Sequence, residues 1–96
     1  MLTGKQRRQL RAQAHKLKAI VQIGKGGIDD GLVAALDRAL TDHELVKVKV
    51  GEGAGIDRHT AAGELAAKTN SEVAQVLGNV VLLFRANPEE PEKEGA

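Results

Sequence analysis

The chain has 96 residues, a length that fits a single domain. Its 42% hydrophobic and 28% charged residues are typical of a globular fold, and the absence of cysteine excludes disulfides, thiolate zinc sites and cysteine nucleophiles. No apolar stretch approaches the roughly 20 residues of a membrane-spanning helix, and no apolar segment of a signal peptide follows the basic start. We therefore expect a cytoplasmic protein with no membrane partner.

Charge is distributed unevenly, although the formal net charge is only +1. The first 28 residues carry no acid and seven cations: Lys5, Arg7, Arg8, Arg11, Lys16, Lys18 and Lys25. The last 11 residues carry four glutamates and one lysine. The basic N-terminal part is where a polyanion would bind, and a solvated helix face is the alternative interpretation.

The first predicted helix runs from about Gly4 to His15. Thr3 and Gln6 have the spacing of a capping box at its start. Its apolar residues form one narrow stripe: Leu10, Ala14 and Leu17. The cations therefore occupy most of the remaining helix surface.

A short β-branched run over Ala19–Ile23 predicts the first strand, and the glycine-rich segment Gly24–Gly27 ends it as a tight turn. A second helix follows, with Asp29 or Asp30 as its N-cap. The segment Leu45–Val50 alternates, with valines on one face and Lys47 and Lys49 on the other, which predicts a strand with one buried face.

The second half of the chain begins with a glycine-rich segment over residues 51–55, which we expect to be flexible. A third helix is predicted from about Asp57 to Lys68, with Thr69-Asn70 closing it. Two further strands, joined by a hairpin turn at Gly78-Asn79, are predicted over Glu72–Leu77 and Val80–Arg85.

This order, αβαβαββ, predicts an α/β (α+β) fold: a compact domain with a four-stranded mixed sheet and three helices. We expect the domain to span residues 1–86. The acidic, proline-containing residues 87–96 are expected to form a disordered tail.

The sequence contains no recognisable catalytic or metal-binding motif. None of its three histidines has a second histidine at metal-ligand spacing, and its single serine, Ser71, lies outside a nucleophile motif. His43 and Glu44 could form an acid–base pair, but adjacent residues at a helix-to-strand junction usually point apart. We therefore predict a buried or capping His43, no enzyme activity, no cofactor, no metal and no small-molecule substrate.

The segment Gly24–Gly27 fits neither the dinucleotide-binding fingerprint nor the Walker loop. A Gly-Lys-Gly-Gly turn still exposes backbone N–H groups without a Cβ atom and adds one cation, which suits a sugar-phosphate backbone. A plain turn without a ligand is the alternative, and Asp29 and Asp30 would weaken the positive potential at the turn.

Because Phe84 is the only aromatic residue, stacking of several bases on aromatic side chains is excluded.

Three stretches resemble the CRM domain in its stand-alone bacterial YhbY form: His15–Ile28, His43–Val50 and Gln75–Arg85. The resemblance extends over Leu2–Arg85 and implies a fold similar to the C-terminal domain of translation initiation factor 3. It implies that the chain binds structured RNA. Bacterial members of the family associate with precursors of the large ribosomal subunit. Two departures are an alanine, Ala19, where proline is common, and the pair Asp29-Asp30 where a small hydroxyl residue is usual.

By position, the GxxG loop of that family falls on Gly24, Lys25, Gly26 and Gly27. The first helix and the exposed lysines of the second strand would complete the RNA-facing surface: Lys5, Arg7, Arg8, Arg11, Lys16, Lys18, Lys47 and Lys49. We thus predict a non-enzymatic protein that binds ribosomal RNA during large-subunit assembly. The alternative is a protein-interaction module, which would dock a ribosomal protein or a second copy through a sheet edge or the first helix.

Overall fold

The computed structural model describes residues 2–17 and 19–86, so Lys18 and the predicted tail over 87–96 lie outside the described residues. It confirms the α+β class and the predicted order of elements. These are α1 (Gly4–Ala14), β1 (Val21–Ile23), α2 (Asp30–His43), β2 (Leu45–Val50), a 3₁₀ helix (Glu52–Ala54), α3 (Arg58–Thr69), β3 (Glu72–Leu77) and β4 (Val80–Phe84). None of the helices in the described ranges is long and apolar enough to cross a membrane.

The four strands form one mixed sheet in the order β1-β2-β4-β3. Strands β1 and β2 are parallel, with Val21 opposite Val48 and Ile23 opposite Val50, because α2 connects them as a crossover. Strand β4 is antiparallel to both β2 and β3. The predicted hairpin at Gly78-Asn79 is confirmed, since it joins β3 to β4.

The helices start where side chains satisfy their free N–H groups. The capping box of α1 is confirmed, with Gln6 N donating to Thr3 Oγ1 at 3.1 Å and Thr3 N donating to Gln6 Oε1 at 2.8 Å. Of the two N-cap candidates for α2, Asp29 takes the position, and Asp57 caps α3. Asn70 ends α3 with a left-handed φ of 56°, as its type predicted.

Helices cover both faces of the sheet. Helices α2 and α3 pack on one face, over a core that includes Ile23, Leu36, Leu40, Val46, Val48, Leu65, Val81 and Leu83. Helix α1 packs on the other face through Leu10 and Ala14, which form a second core cluster with Leu2, Leu45, Ala74 and Leu82. The predicted burial of the valine face of β2 is confirmed and Lys49 is exposed, but the lysine face is not open along its whole length as predicted. On the lysine face, Leu45 is buried and Lys47 is half-buried, because α1 packs across this face of the sheet.

Two further expectations from the sequence were wrong. The segment over residues 51–55 contains the 3₁₀ helix, and Gly51 N donates to Ile23 O at 2.9 Å, so contacts with β1 give it a defined shape. His43 is neither buried nor a cap: it is the last residue of α2, exposed to solvent, and Glu44 occupies the C-cap.

Arg85, directly after β4, joins three elements through its guanidinium. Its Nη1 donates to Asp37 Oδ1 at 2.6 Å and to Thr69 O at 2.7 Å. Its Nη2 donates to Asp37 O and to Thr41 Oγ1, both at 2.9 Å. The end of β4 is thereby attached to the middle of α2 and to the end of α3.

The substitution Arg85→Met should lower the free energy of unfolding by about 2–3 kcal/mol. It removes charge-assisted hydrogen bonds and leaves the carbonyl of the buried Thr69 without this donor. Urea denaturation followed by circular dichroism measures the change. Arg38→Met is the control, because Arg38 is exposed on α2 and has no partner within 2–17 and 19–86, so a change below about 0.5 kcal/mol is expected. Equal midpoints for the two variants would contradict the role of Arg85.

Candidate nucleic-acid interface

Three turns meet at one edge of the sheet, which we name the loop edge: Gly24–Gly27, residues 51–55 and Gly78-Asn79. The first two follow β1 and β2, which end together because these strands are parallel. The third belongs to the β3–β4 hairpin, and Asn79 O accepts a hydrogen bond from Val50 N at 2.7 Å. The parallel pair and the antiparallel hairpin thus place all three glycine-containing turns side by side.

The Gly-Lys-Gly-Gly turn is exposed at the loop edge. Gly27 N donates to Gly24 O at 2.9 Å, and Gly27 has a φ of 69°, which glycine adopts easily. The N–H groups of Lys25 and Gly26 have no acceptor among the described residues. The turn therefore leaves two adjacent backbone donors and the Lys25 ammonium open to a ligand, while the Gly27 donor is used internally.

Acidic caps take the helix starts near this turn. Asp29 Oδ1 accepts from Leu32 N at 2.8 Å, and Asp29 Oδ2 lies 3.6 Å from where a Cβ atom of Gly26 would be. At α3, the backbone N–H of Thr60 lowers the pKa of the Asp57 carboxyl below its ordinary value, so Asp57 is ionised at neutral pH. An incoming anion would therefore meet the Lys25–Gly26 side of the turn, since carboxylates of the chain itself already occupy the positive helix ends.

The segment over residues 51–55 supports the turn from beneath. A Cβ atom on Gly51 would lie 2.7 Å from Ile23 O, which shows how closely the two strand ends approach. A Cβ atom on Gly53 would lie 3.3 Å from Lys25 Cγ, so the Lys25 stem rests against this glycine. The turn Gly24–Gly27 can lie this close to residues 51–55 because Gly51 and Gly53 have no side chain.

The α1 side of the sheet stays open next to the loop edge. The last paired row on this side consists of Gln22, Lys49, Val80 and Leu77. The next row on the same side, two residues further from the loop edge, contains Lys47, Leu82 and Gln75, and α1 approaches the sheet there. Lys49 is exposed in the open row, between the Gly-Lys-Gly-Gly turn and α1.

Helix α1 carries its exposed cations across this side of the molecule. Leu2 N donates to Glu72 Oε1 at 2.8 Å, so α1 starts at the sheet end opposite the loop edge. Its C-terminal half reaches Leu77 and Val80 with Arg11 and His15. The exposed cations of this region are Lys5, Arg7, Arg8, Arg11 and Lys16.

The predicted site residues are therefore only partly brought together. Arg11 and Lys49 lie on the α1 side and Lys25 lies at the neighbouring loop edge, whereas Lys5, Arg7 and Arg8 lie in the first turns of α1, further away. Lys47 is not the exposed lysine that alternation predicted. Its stem is half-buried, and its Nζ donates to Leu17 O at 3.0 Å, because the chain after α1 passes over it.

Most acidic residues of the described ranges lie away from the α1 side, although Asp29, Glu52 and Asp57 lie at or next to the loop edge. Of the acids in the described ranges, Glu72 is the one that lies on the α1 side, and it accepts the hydrogen bond from Leu2 N far from the loop edge. The others belong to α2, α3 and the segments next to them: Asp29, Asp30, Asp37, Asp42, Glu44, Glu52, Asp57 and Glu64. The α1 side is thus a basic face, which extends from Lys25 over Lys49 to the cations of α1.

Sequence reasoning missed a cleft of about 160 Å³ between α1 and the open part of the sheet, lined in part by His15, Gln75 and Leu77. Leu77 is 67% exposed, although it ends a strand of otherwise half-buried or buried residues. Its exposure depends on where α1 crosses the sheet, and no local pattern reports that crossing.

Comparisons with known proteins agree with this fold. Residues 2–85 match the CRS1 / YhbY (CRM) domain. The chain is 38% identical over 94 residues to the "Probable RNA-binding protein YqeI" of Bacillus subtilis, covering 98% of both chains. It is 38% identical over 87 residues to the "Probable RNA-binding protein PA4753" of Pseudomonas aeruginosa, covering 91% of this chain and 84% of the relative.

A solved structure shows the same architecture. The solution structure of the hypothetical protein SAV1595 from Staphylococcus aureus superposes with a TM-score of 0.77 at 42% sequence identity, covering 90% of each chain. The family match extends over nearly the whole chain, and the element order matches that expected from the three resembling stretches. The chain belongs to the CRS1/YhbY (CRM) domain family.

Proposed function

We propose that this chain binds ribosomal RNA in precursors of the large ribosomal subunit, in the cytoplasm and without catalysing a reaction. The observation that carries the proposal is the basic face, which combines open backbone donors at Lys25 and Gly26 with the exposed cations of α1. Names of relatives as RNA-binding proteins support RNA as the partner. The resemblance to the stand-alone bacterial form supports the ribosomal target.

The turn Gly24–Gly27 is the point of closest approach. Because Gly24 and Gly26 carry no side chain, a phosphate can reach the N–H groups of Lys25 and Gly26 directly, and the Lys25 ammonium adds a charge-assisted contact. Contacts of this kind position RNA without reading bases. The turn therefore fixes one phosphate relative to the sheet.

Helix α1 extends the contact beyond the turn. Its 11 residues span about 16 Å, with Arg7, Arg8 and Arg11 exposed along it. A helix of this length meets several successive phosphates of a structured RNA, and neutralising each one releases counterions. Binding should therefore weaken steeply as the salt concentration rises.

The substitution Lys25→Glu should lower the affinity for large-subunit ribosomal RNA by about tenfold or more, because it replaces a phosphate contact by a like charge. Gly26→Asp should act in the same direction, since it adds a carboxylate beside an open donor and beside Asp29. Filter binding or fluorescence anisotropy measures the dissociation constants, and circular dichroism confirms that each variant is folded.

Lys68→Glu is the matched control, because it changes the net charge equally in the last turn of α3, on the other side of the sheet. Its affinity for the RNA should stay within about twofold of the unsubstituted protein. Unchanged affinity in folded Lys25→Glu would remove the turn from the interface. Partners that stay bound to the chain after nuclease treatment would instead favour docking of a protein.

A further inference from the structure

The cleft between α1 and the sheet combines an apolar floor with planar polar groups. Its floor consists of Leu77, Val80 and Leu82 on the sheet, and Ala14 of α1 adds to the apolar lining. The polar groups that line it are Arg11, His15, Lys47 and Gln75. No acidic residue of the described chain lines it, so its charge complements an anion.

The floor of the cleft is accessible to a ligand. Leu77 is 67% exposed and Val80 is half-buried, so an apolar surface lies open between charged groups. The volume of about 160 Å³ is close to that of the cavity of about 150 Å³ that holds a benzene ring in another protein. The cleft therefore has room for one heteroaromatic ring, whereas a base pair would not enter it.

The polar groups match a nucleobase and its phosphate. The Arg11 guanidinium and the His15 imidazole are planar and stack on bases as aromatic side chains do. The half-buried Gln75 amide both donates and accepts, and within the described ranges it has no hydrogen-bond partner. Lys47 uses one of its three donors on Leu17 O, which leaves two for a phosphate or a sugar.

The single phenylalanine, in a chain without tryptophan or tyrosine, is not available for this purpose. Phe84 is partly buried and packs against the α1-side core cluster, on the row of β4 furthest from the loop edge. A base that approaches the open sheet would therefore find Arg11, His15 and the apolar floor as its stacking surfaces.

We propose that the cleft receives one unpaired nucleotide, displaced from a structured RNA that lies along the basic face. Its base lies on Leu77 and Val80, its edge bonds to the Gln75 amide, and Lys47 holds its phosphate. This inference rests on the proposed function, and it adds that the chain prefers an RNA helix interrupted by an unpaired nucleotide to a continuous one.

The test compares two RNA duplexes of equal length, one fully paired and one with a single unpaired uridine, whose base is a single ring, near its centre. Fluorescence anisotropy at one salt concentration gives the dissociation constant for each. The protein should bind the interrupted duplex about tenfold more tightly, since one stacked base contributes a factor of this order. Gln75→Leu and Leu77→Ser should each abolish most of this preference and change the affinity for the paired duplex less than about twofold.

Ile20→Ser is the matched control, because Ile20 is the other large hydrophobic residue with an exposed side chain in the described ranges, at 52%, and does not line the cleft. It should keep the preference for the interrupted duplex. Equal affinity of the unsubstituted protein for both duplexes would overturn this inference and leave the proposed function intact, as would equal losses for both duplexes in Gln75→Leu. Failure to bind either duplex or ribosomal RNA would overturn both proposals.

Discussion

Replacing Arg7 and Arg8 together by glutamine should lower the affinity for large-subunit ribosomal RNA by about 30- to 100-fold at physiological salt. Both side chains are exposed on α1 and have no ion-pair partner among residues 2–17 and 19–86. Each phosphate contact adds close to one unit to the slope of log K against log salt concentration. The double variant should therefore also lose about two units of that slope.

The salt slope distinguishes lost contacts from lost structure. Glutamine keeps the high helix propensity of arginine, so α1 should form as before. A partly unfolded variant would lose helical circular dichroism as well as affinity, whereas lost phosphate contacts lower the affinity and the salt slope and leave the circular dichroism unchanged. Arg7 and Arg8 do not line the cleft between α1 and the sheet. The expected loss of affinity therefore does not depend on whether the cleft receives a nucleotide.

The double variant Arg38→Gln/Lys68→Gln supplies the control, since it removes the same charge from α2 and α3, on the other side of the sheet. Its affinity should change less than about threefold, because charges beyond a Debye length are screened. Equal losses in the two double variants would show that RNA responds to net charge rather than to the basic face.

Gly51→Ala should lower the free energy of unfolding by about 1–3 kcal/mol, although it adds a single methyl group. The new Cβ atom would lie 2.7 Å from Ile23 O, the same atom that accepts the hydrogen bond from Gly51 N. A backbone carbonyl cannot rotate away as a side chain does, so the ends of β1 and β2 must separate. Since Lys25 rests on the same segment, RNA affinity should fall as well.

Gly63→Ala is the opposite case and serves as the control. Gly63 is exposed within α3, and a Cβ atom there meets nothing within 4 Å. Alanine favours the helix over glycine, so this variant should gain about 0.5–1 kcal/mol in the free energy of unfolding. Urea denaturation measures both changes, and a Gly51→Ala protein as stable as Gly63→Ala would contradict the close approach of the strands.

Local patterns predicted the elements well wherever one period dominated. The strands Leu45–Val50 and Glu72–Leu77 have the predicted bounds, and the capping box of Thr3 and Gln6 is present. Lys47 was misplaced because alternation reports only the polarity of a side chain. A long lysine stem packs under a helix while its ammonium finds an acceptor, and the sequence does not show that α1 crosses this face.

The candidate site was predictable in its charges but not in its shape. The run of cations and the glycine-rich turn are visible in the order of residues, and Asp29 was one of two caps considered. The closeness of the Asp29 carboxylate to Gly26 was not visible, and neither was the cleft beside Gln75 and Leu77. These features depend on contacts between segments far apart in the chain.

Helix α1 is attached to the sheet near both of its ends. Leu2 N donates to Glu72 before the helix begins, and Leu17 O accepts from the Lys47 ammonium after it ends. These two hydrogen bonds hold the arginine-bearing helix against the sheet in the free protein, so we expect RNA binding to require little reordering of its backbone. Preorganisation of this kind reduces the loss of conformational entropy on binding, so a small domain retains more of its electrostatic attraction as affinity.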